Sequence, residues 1–554
     1  MTDIFELRFL LASLHIEAIL RGNTVARRRK TLKSIKDGEG LGDAYGATLE
    51  RIKAQDEEKA KLAVATLTWV CHAERPLQVD ELCNALAVEI GIADFDPENV
   101  PSIETLRDCC QGLITVDAKA STVRLIHSTV QEYLCSHPGL FTGPHLVLAG
   151  TCLTYLNSPQ VKNQASHSLL PSQSMPFLKY SARYWGAHTN RDISDNLRDL
   201  ALKLLNHYEH HISALSLLDQ ALLPYDIGDV ATSPRFSGLR CASFFGIVEL
   251  VTVLINVEGC VVDQRDCVGR TPLAWAAING QEEVVKVLLE RKNVDPNHPN
   301  KNDRTPLACA ALNGHERVVN LLLEREDVDP NRPGKDGGGP LGYAAYAGHE
   351  GVVGLFLKRE NVDPNLPDKH DTTPLGFAAN NGHEGVVKLL LERENVDPNR
   401  PDNQDLTPLG GAAISGNEGV ITLLLQRDDV DPNRPDVYGR TPLQNATITG
   451  HEGVVKLLTG WKYLNPNSPN EYGRAPLTSA PIRGQEGVAW SSLEQEDVDP
   501  NLPDEDHLTL LTNSAIEGQE VVATLSLEMK NSNPNHPDSD DTIGYLLNPQ
   551  ILPI

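Results

Sequence analysis

The triplet Thr-Pro-Leu, or a close relative of it, recurs every 34 residues through the second half of this chain. It opens at Thr271, Thr305, Thr373, Thr407 and Thr441, and is blurred but in register at Gly339, Ala475 and Thr509. One period upstream, Ser237-Gly238-Leu239 opens a first copy. A period of this length means stacked helical units, each too small to bury its own apolar face. A single compact core is thereby excluded for this half, and a long binding surface is implied.

The unit from Thr271 to Arg304 shows the logic. Thr271 is placed to cap a helix, with Pro272 at its first position, where a missing N–H costs nothing. Ala276 and Ala277 let a neighbouring helix approach, and Gly280 ends the helix in a left-handed conformation. Val284, Val285, Leu288 and Leu289 then form the apolar stripe of a second helix, which Asp295-Pro296-Asn297 breaks. Trp275, Tyr343 and Phe377, between the Leu and the Ala pair, read as core.

These residues resemble the ankyrin repeat: the Thr-Pro-Leu, the Ala-Ala pair, Gly-His-x-x-Val-Val and a closing Asp-Pro-Asn cover residues 237–540 in eight to nine copies. Two departures stand out. The family's His after Thr-Pro-Leu is replaced by Ala274, Ala308, Gly342, Gly376, Gly410 and Gln444, so its helix-tying hydrogen bonds are missing or made otherwise. The unit is also one residue longer than the common repeat, with the extra residue expected in the loop around Arg359–Val362. The last copies decay, with Pro481 inside the first helix, Ser491-Ser492 in the apolar stripe and Leu510 in place of the proline; they are expected to be the least stable.

The resemblance implies a protein partner held by the loop tips before each triplet and by residues after the Ala pair. Carried over, the partner-binding positions are Lys301, Asn302, Arg304, Lys335, Asp336, Lys369, His370, Asn403, Gln404, Tyr438, Arg440, Tyr472 and Arg474 at the tips. Tyr346, Asn380 and Asn381 follow the Ala pairs, beside Ile278, Asn279, Ile414 and Ser415. These positions vary between copies while their flanks stay fixed. Tyr346, Tyr438 and Tyr472 are the expected anchors, since aromatics dominate interface energetics.

Charge narrows the partner. Residues 1–236 carry 23 Lys and Arg against 28 Asp and Glu, whereas residues 237–554 carry 26 against 47. So acidic an array repels phosphate backbones, which argues against nucleic acid. No apolar run is long enough for a membrane span, and no signal peptide is visible. Ten cysteines with no Cys-x-x-Cys pair argue against a zinc site or a disulfide framework. A reducing location follows, the cytoplasm or alternatively the nucleus.

The first 236 residues have no period. Amphipathic helices are expected over Phe5–Leu20 and Thr48–Cys71, and another over Val79–Val88 starting near Asp80. A hairpin follows, with strands at Gly112–Val116 and Thr122–Ile126 around a turn at Asp117–Ser121. Helices followed by a hairpin predict a winged helix, though without a basic recognition helix. The strings at Tyr45–Gln55, Thr66–Leu82, Leu106–Asp117, Ile126–Leu134 and Pro176–His188 resemble the segment after the nucleotide-binding module of fungal NACHT-type STAND proteins, which are NOD-like signalling ATPases. That resemblance implies a role in fungal non-self recognition signalling. The chain then reads as the C-terminal part of a larger architecture.

The ATPase chemistry itself is not written here. No Gly-Lys-Ser or Gly-Lys-Thr occurs, and Gly38–Gly42 is acidic and lacks the phosphate-binding Lys. His127-Ser128 near Glu132 lacks a nucleophile elbow and reads as a helix cap. The histidines of Gly-His-Glu (His315, His349, His383, His451) repeat with the array and read as scaffold. His207–His211 reads as a solvated helix face.

The expected architecture is thus mainly α: a helical segment (1–65), a winged-helix-like domain (66–140), a helical linker region (141–236), an α-solenoid of repeats (237–540) and a tail (541–554). The expected role is non-enzymatic protein binding, with no catalytic residue, cofactor or metal. Two alternatives stand beside it: a general ankyrin adaptor, and the arm of a STAND ATPase whose nucleotide-binding part lies upstream.

Overall fold

A computed structural model describes residues 24–26, 41–92, 95–162, 175–206, 208, 211, 237–480, 486–493 and 497–528. The helix expected over Phe5–Leu20 and Pro481, the proline within a decaying copy's first helix, lie outside them. The chain divides into two compact units, Met1–Pro272 and Leu273–Ile554.

In the first unit, α1 (Leu41–Lys53) and α2 (Glu57–His72) replace the single helix expected over Thr48–Cys71. The break is local: Asp56 caps α2 by accepting from the Lys59 N–H. Next comes α3 (Val79–Leu86), which starts at Gln78 rather than Asp80, because Glu81 reaches back to the Gln78 N–H. Glu81 is also held by Arg75 through both carboxylate oxygens (2.6 and 2.7 Å). After α4 (Ile103–Cys109), strands β1 (Ile114–Asp117) and β2 (Thr122–Leu125) pair antiparallel, Ile114 opposite Leu125 and Asp117 opposite Thr122. His127 then caps α5 (Ser128–Cys135), its Nδ1 accepting from the Thr129 N–H.

Helices α6 (Pro144–Asn157), α7 (Pro159–Lys162), α8 (Leu178–Arg191) and α9 (Asp195–Leu205) follow. The first repeat copy, α10 (Gly238–Phe245) and α11 (Val248–Leu254), packs on α8 and α9 within this same unit. Trp185 meets Phe245 edge-on at 5.2 Å, and the Phe245 ring occupies the place a side chain at Gly186 would take. Only glycine fits there. Tyr208 and His211 are buried, with His211 Nε2 2.9 Å from the Leu156 carbonyl. This overturns the solvated face expected for His207–His211 at the two positions described.

A polar cluster sits between α2, α6 and α8. The Tyr180 hydroxyl accepts from the Glu74 N–H (3.0 Å) and is hydrogen-bonded to His188 Nε2 (2.9 Å). His188 Nδ1 lies 3.0 Å from His145 Nδ1. His72 faces the same pocket, and Arg191 pairs with Glu74 at 2.8 Å beside it. Burial, reinforced by the neighbouring His145 and Arg191, depresses His188 to about 3. Burial likewise lowers His72 and His145 and takes His211 to about 4. Among the described residues no helix is long and apolar enough to cross a membrane.

The second unit repeats one helix pair. Inner helices run Pro306–Leu312, Pro340–Ala347, Pro374–Asn381, Pro408–Ser415 and Pro442–Thr449. Outer helices run Glu282–Leu289, Glu316–Leu323, Glu350–Leu357, Glu384–Leu391, Glu418–Leu425 and Glu452–Thr459. Thr305, Thr373, Thr407 and Thr441 each accept the N–H three residues on, and proline holds the first helical position. Ala-Ala pairs, Val-Val pairs and leucines fill the space between helices with almost no exposure. In the Ala475 copy the residues described after the triplet's proline form a 3₁₀ turn, Leu477–Ser479. Ser491, in the apolar stripe, is buried and satisfied by the Gly487 carbonyl at 2.8 Å and Glu452 at 3.2 Å.

What ties one copy to the next is the His of Gly-His-Glu. It occupies the N-cap of each outer helix but makes no cap bond there. Instead Nε2 reaches a carbonyl at the end of the preceding inner helix: His315 to Ile278 (2.8 Å), His349 to Leu312 (3.0 Å), His383 to Tyr346 (3.0 Å) and His451 to Ile414 (2.9 Å). Asn417, in the same register, donates to Ala379 at 2.9 Å. These bonds run between copies and tie the outer helix of one to the inner helix of the one before. After the triplet, Gln444 donates from its side-chain amide to the Arg474 carbonyl.

Two outcomes are expected. Gly348 combines a left-handed backbone (φ 77°) with a would-be Cβ only 2.6 Å from His383 Nδ1, whereas Gly354 has nothing within 4 Å. In urea titrations of the full chain, Gly348→Ala should lower stability by about 1–3 kcal/mol, while Gly354→Ala raises it by about 0.5–1 kcal/mol. The second outcome concerns pH. His72, His145, His188 and His211 have folded-state values below the unfolded value of about 6.5, so the folded state binds fewer protons at these four sites. Their stability is complete above about pH 6.5 and is lost as pH falls toward 4, at about 1.4 kcal/mol per pH unit for each histidine that stays neutral. Tryptophan-monitored denaturation at pH 8, 6 and 5 reads this slope, and His188→Gln should flatten it.

Candidate functional site

The loop before each triplet is a tight turn set by one acid or amide. Asp368 Oδ1 accepts from the N–H of His370 and of Thr372 (2.8 and 2.9 Å), and Asp402, Asp436, Asn470 and Asp504 repeat the pattern. Consecutive turns then join through the backbone: Lys335 N–H to Asn302, Lys369 to Asp336, Asn403 to His370, Val437 to Gln404, Glu471 to Tyr438 and Glu505 to Tyr472, all within 2.8–3.2 Å. The tips thus form one continuous row. Their backbone is satisfied internally, and their side chains are free to differ.

Lys301, Asn302, Lys335, Lys369, His370, Asn403, Gln404, Tyr438 and Tyr472 all stand exposed in this row. The arginines just before the triplet are different, being half-buried. Arg304 pairs with Asp336 at 2.9 Å and covers the Tyr343 ring at 4.5 Å, and the Tyr343 hydroxyl donates to the same carboxylate. Burial opposes the charge on Asp336, but the Tyr343 hydroxyl and Arg304 outweigh it and hold the carboxyl below its usual range. Arg474 donates to Asp504 at 3.2 Å, and Arg440 lies 4.7 Å from the Tyr438 ring. These side chains brace neighbouring turns.

The positions after the Ala pair form a second strip. Tyr346 is 54% exposed and meets Phe377 edge-on at 5.8 Å. Trp275 and Tyr343 are buried as expected; Phe377 is only half-buried, since one face lies against the exposed Tyr346. Asn380 accepts from the Ser415 hydroxyl at 3.0 Å, and Asn381 donates to the Phe377 carbonyl at 3.0 Å. Ile414 is exposed beside them.

Sequence reasoning missed the opposite edge. There the Asn of Asp-Pro-Asn donates to a carbonyl of the next copy and accepts an N–H from it: Asn331 to Asn361 (2.6 Å) and from Asp363 (2.9 Å). The same pair of bonds recurs at Asn297, Asn365, Asn399, Asn433 and Asn467. Tyr463, 58% exposed, lies on this edge. It stands where other copies have Asp327, Asn361, Asn395 and Asp429, and that departure from the period was its signal.

Comparison with known families decides the identity of the array. Residues 239–334, 325–402, 341–436 and 394–470 match the model described as ankyrin repeats. Residues 239–470 are ankyrin repeats. Ahead of them, residues 49–141 match the GPI inositol-deacylase winged helix domain. A 256-residue stretch is 25% identical to the azaphilone pigments biosynthesis cluster protein L of Monascus ruber, covering 41% of this chain and 50% of that protein. The chain therefore spans about half the length of the curated relative it matches. Ankyrin repeats are a protein-interaction scaffold, and the molecule is mostly helical with a winged helix ahead of its ankyrin array.

The division between bracing and free side chains has a measurable consequence. Asp336→Ala leaves Arg304 and Tyr343 without their acceptor and should destabilise the ankyrin unit by about 1–3 kcal/mol. Lys335→Ala, one residue away and exposed, should stay within about 0.5 kcal/mol in the same denaturation experiment.

Proposed function

We propose that this protein is a non-enzymatic interaction protein that grasps a protein partner with the tip row and the strip after the Ala pairs. The observation that carries this reading is the continuous backbone row itself. Its hydrogen bonds are satisfied within the array, while Tyr438, Tyr472 and Tyr346 and the polar residues between them remain exposed. Exposed aromatics on a rigid frame lose little freedom on binding, which is what an interface anchor requires. The winged helix ahead of the array supports a place in NOD-like receptor signalling, with the array as the sensing end. The match to a Monascus ruber protein supports a fungal setting.

No residue constellation described above supplies a nucleophile or a phosphate cradle, so the array would act by binding alone. The chain should give no saturable signal with a fluorescent ATP analogue. In affinity capture from a fungal extract, the double variant Tyr438→Ala/Tyr472→Ala should lose the captured protein by at least tenfold while its melting temperature stays unchanged. Retention of the same protein by the double variant would sink the reading.

A further inference from the structure

The tip row is chemically graded. From Lys335 on, the residue donating its N–H to the preceding turn is equivalent in every copy, and Lys301 holds the same register position one period earlier. Read from Lys301, this position runs Lys301, Lys335, Lys369, Asn403, Val437, Glu471 and Glu505. All are exposed. Three cations are thus followed by an amide, an apolar side chain and two acids. Beside the last three rungs the next tip position adds Tyr438, Tyr472 and Asp506.

The lysines stand out against their surroundings. Residues 237–554 carry 47 acids against 26 bases, and some array cations are engaged: Lys286 with Glu282, Arg304 with Asp336, Arg325 with Asp327, Arg427 with Asp429. Lys301, Lys335 and Lys369 are exposed and make no ion pair among the described residues. The acids of their own turns, Asp303 and Asp371, sit two residues on at the left-handed position (φ 56° and 61°) and leave them unpaired. Lys301, Lys335 and Lys369 thus present three exposed ammonium groups at one register position on a hydrogen-bonded backbone, flanked in their own turns by Asp303, Asp336, Asp368 and Asp371, so they can meet a partner's carboxylates one by one.

We infer that the tip row is a polarised track for an extended polypeptide segment, acidic at the end lying over Lys301–Lys369, apolar over Val437, Tyr438 and Tyr472, and basic at the end over Glu471, Glu505 and Asp506. This rests on the reading of the row as a protein-binding surface and gives it a direction. Helical rungs pack at about 10 Å, and an extended chain advances about 3.3 Å per residue. The acidic residues of the partner therefore recur at about every third position. The acids closing the row repel a uniformly charged polyanion, so a polypeptide of mixed sign fits and a nucleic acid does not.

The test is selection of a random 20-residue peptide library displayed on phage against the full chain, at low and at 0.3 M salt. Enriched peptides should carry acids about three apart at one end and a Lys or Arg at the other, with apolar residues between. The triple variant Lys301→Glu/Lys335→Glu/Lys369→Glu should bind a selected peptide at least tenfold more weakly at low salt, and replacing that peptide's acids by lysines should recover the loss. Absence of enrichment, enrichment without this polarity, or equal binding by the triple variant overturns the inference. Tighter binding of a 20-nucleotide single-stranded DNA than of the selected peptides overturns it too. If peptides bind through Tyr438 and Tyr472 but ignore the lysines, the protein-binding reading stands and the polarity alone falls.

Discussion

The array depends on a bond from one copy's outer helix to the inner helix behind it. Neither partner of that bond is satisfied inside its own copy. The inner helix ends with carbonyls that have no downstream N–H, and the outer helix begins at a residue that forgoes capping its own helix. His349 and its equivalents close both deficits across the junction, and they do so where the preceding glycine leaves room for the ring. Isolated copies of eight-residue helices would not persist in water. The junction makes the neighbour a structural part of each one. The glutamate after each histidine takes the positive end of the outer helix instead, so the helix start is stabilised by charge rather than by a cap.

Along the two edges the same principle works through the backbone. The Asn ladder on one side and the tip row on the other give each loop its hydrogen-bond partners in the next loop. Loops normally carry function because they vary while a scaffold holds them. Here the scaffold runs through the loops themselves. Changing Lys369 to Asn403 from one rung to the next alters the chemistry offered to a partner and leaves the framework bonds in place.

The locally encoded features were open to reading. Threonine caps, proline at the first helical position, glycine at the helix end and the apolar stripe lie within a dozen residues, and the structure follows them copy after copy. What the sequence concealed spans a junction. Arg304, Asp336 and Tyr343 lie up to 39 positions apart, and nothing in any one copy marks them as a set, so the first two read as free tip residues. The His ties were recognised as scaffold without their acceptors, since a carbonyl 37 residues upstream has no sequence signature. Gln78 displaced Asp80 as a helix start because Arg75 and Glu81, both outside the apolar pattern, fix the turn before α3. His211 looked solvated because its burial depends on α6, 55 residues earlier.

These spacings also explain why the period never slips. The His tie reaches back 37 residues, and the Asn ladder reaches forward 30 and 32. The tip row adds a further link of its own, from Asn302 to Lys335. All must close at every junction. An inserted residue in one loop would stretch the bonds on its own edge while leaving the other edge and the helices in register, so the copies would have to splay. Substitution changes none of these lengths. A surface under this constraint can diversify by exchanging side chains at the tips or by gaining and losing whole units of 34, but hardly by loop length. Recognition in this array is therefore written in side-chain identity at fixed spacing.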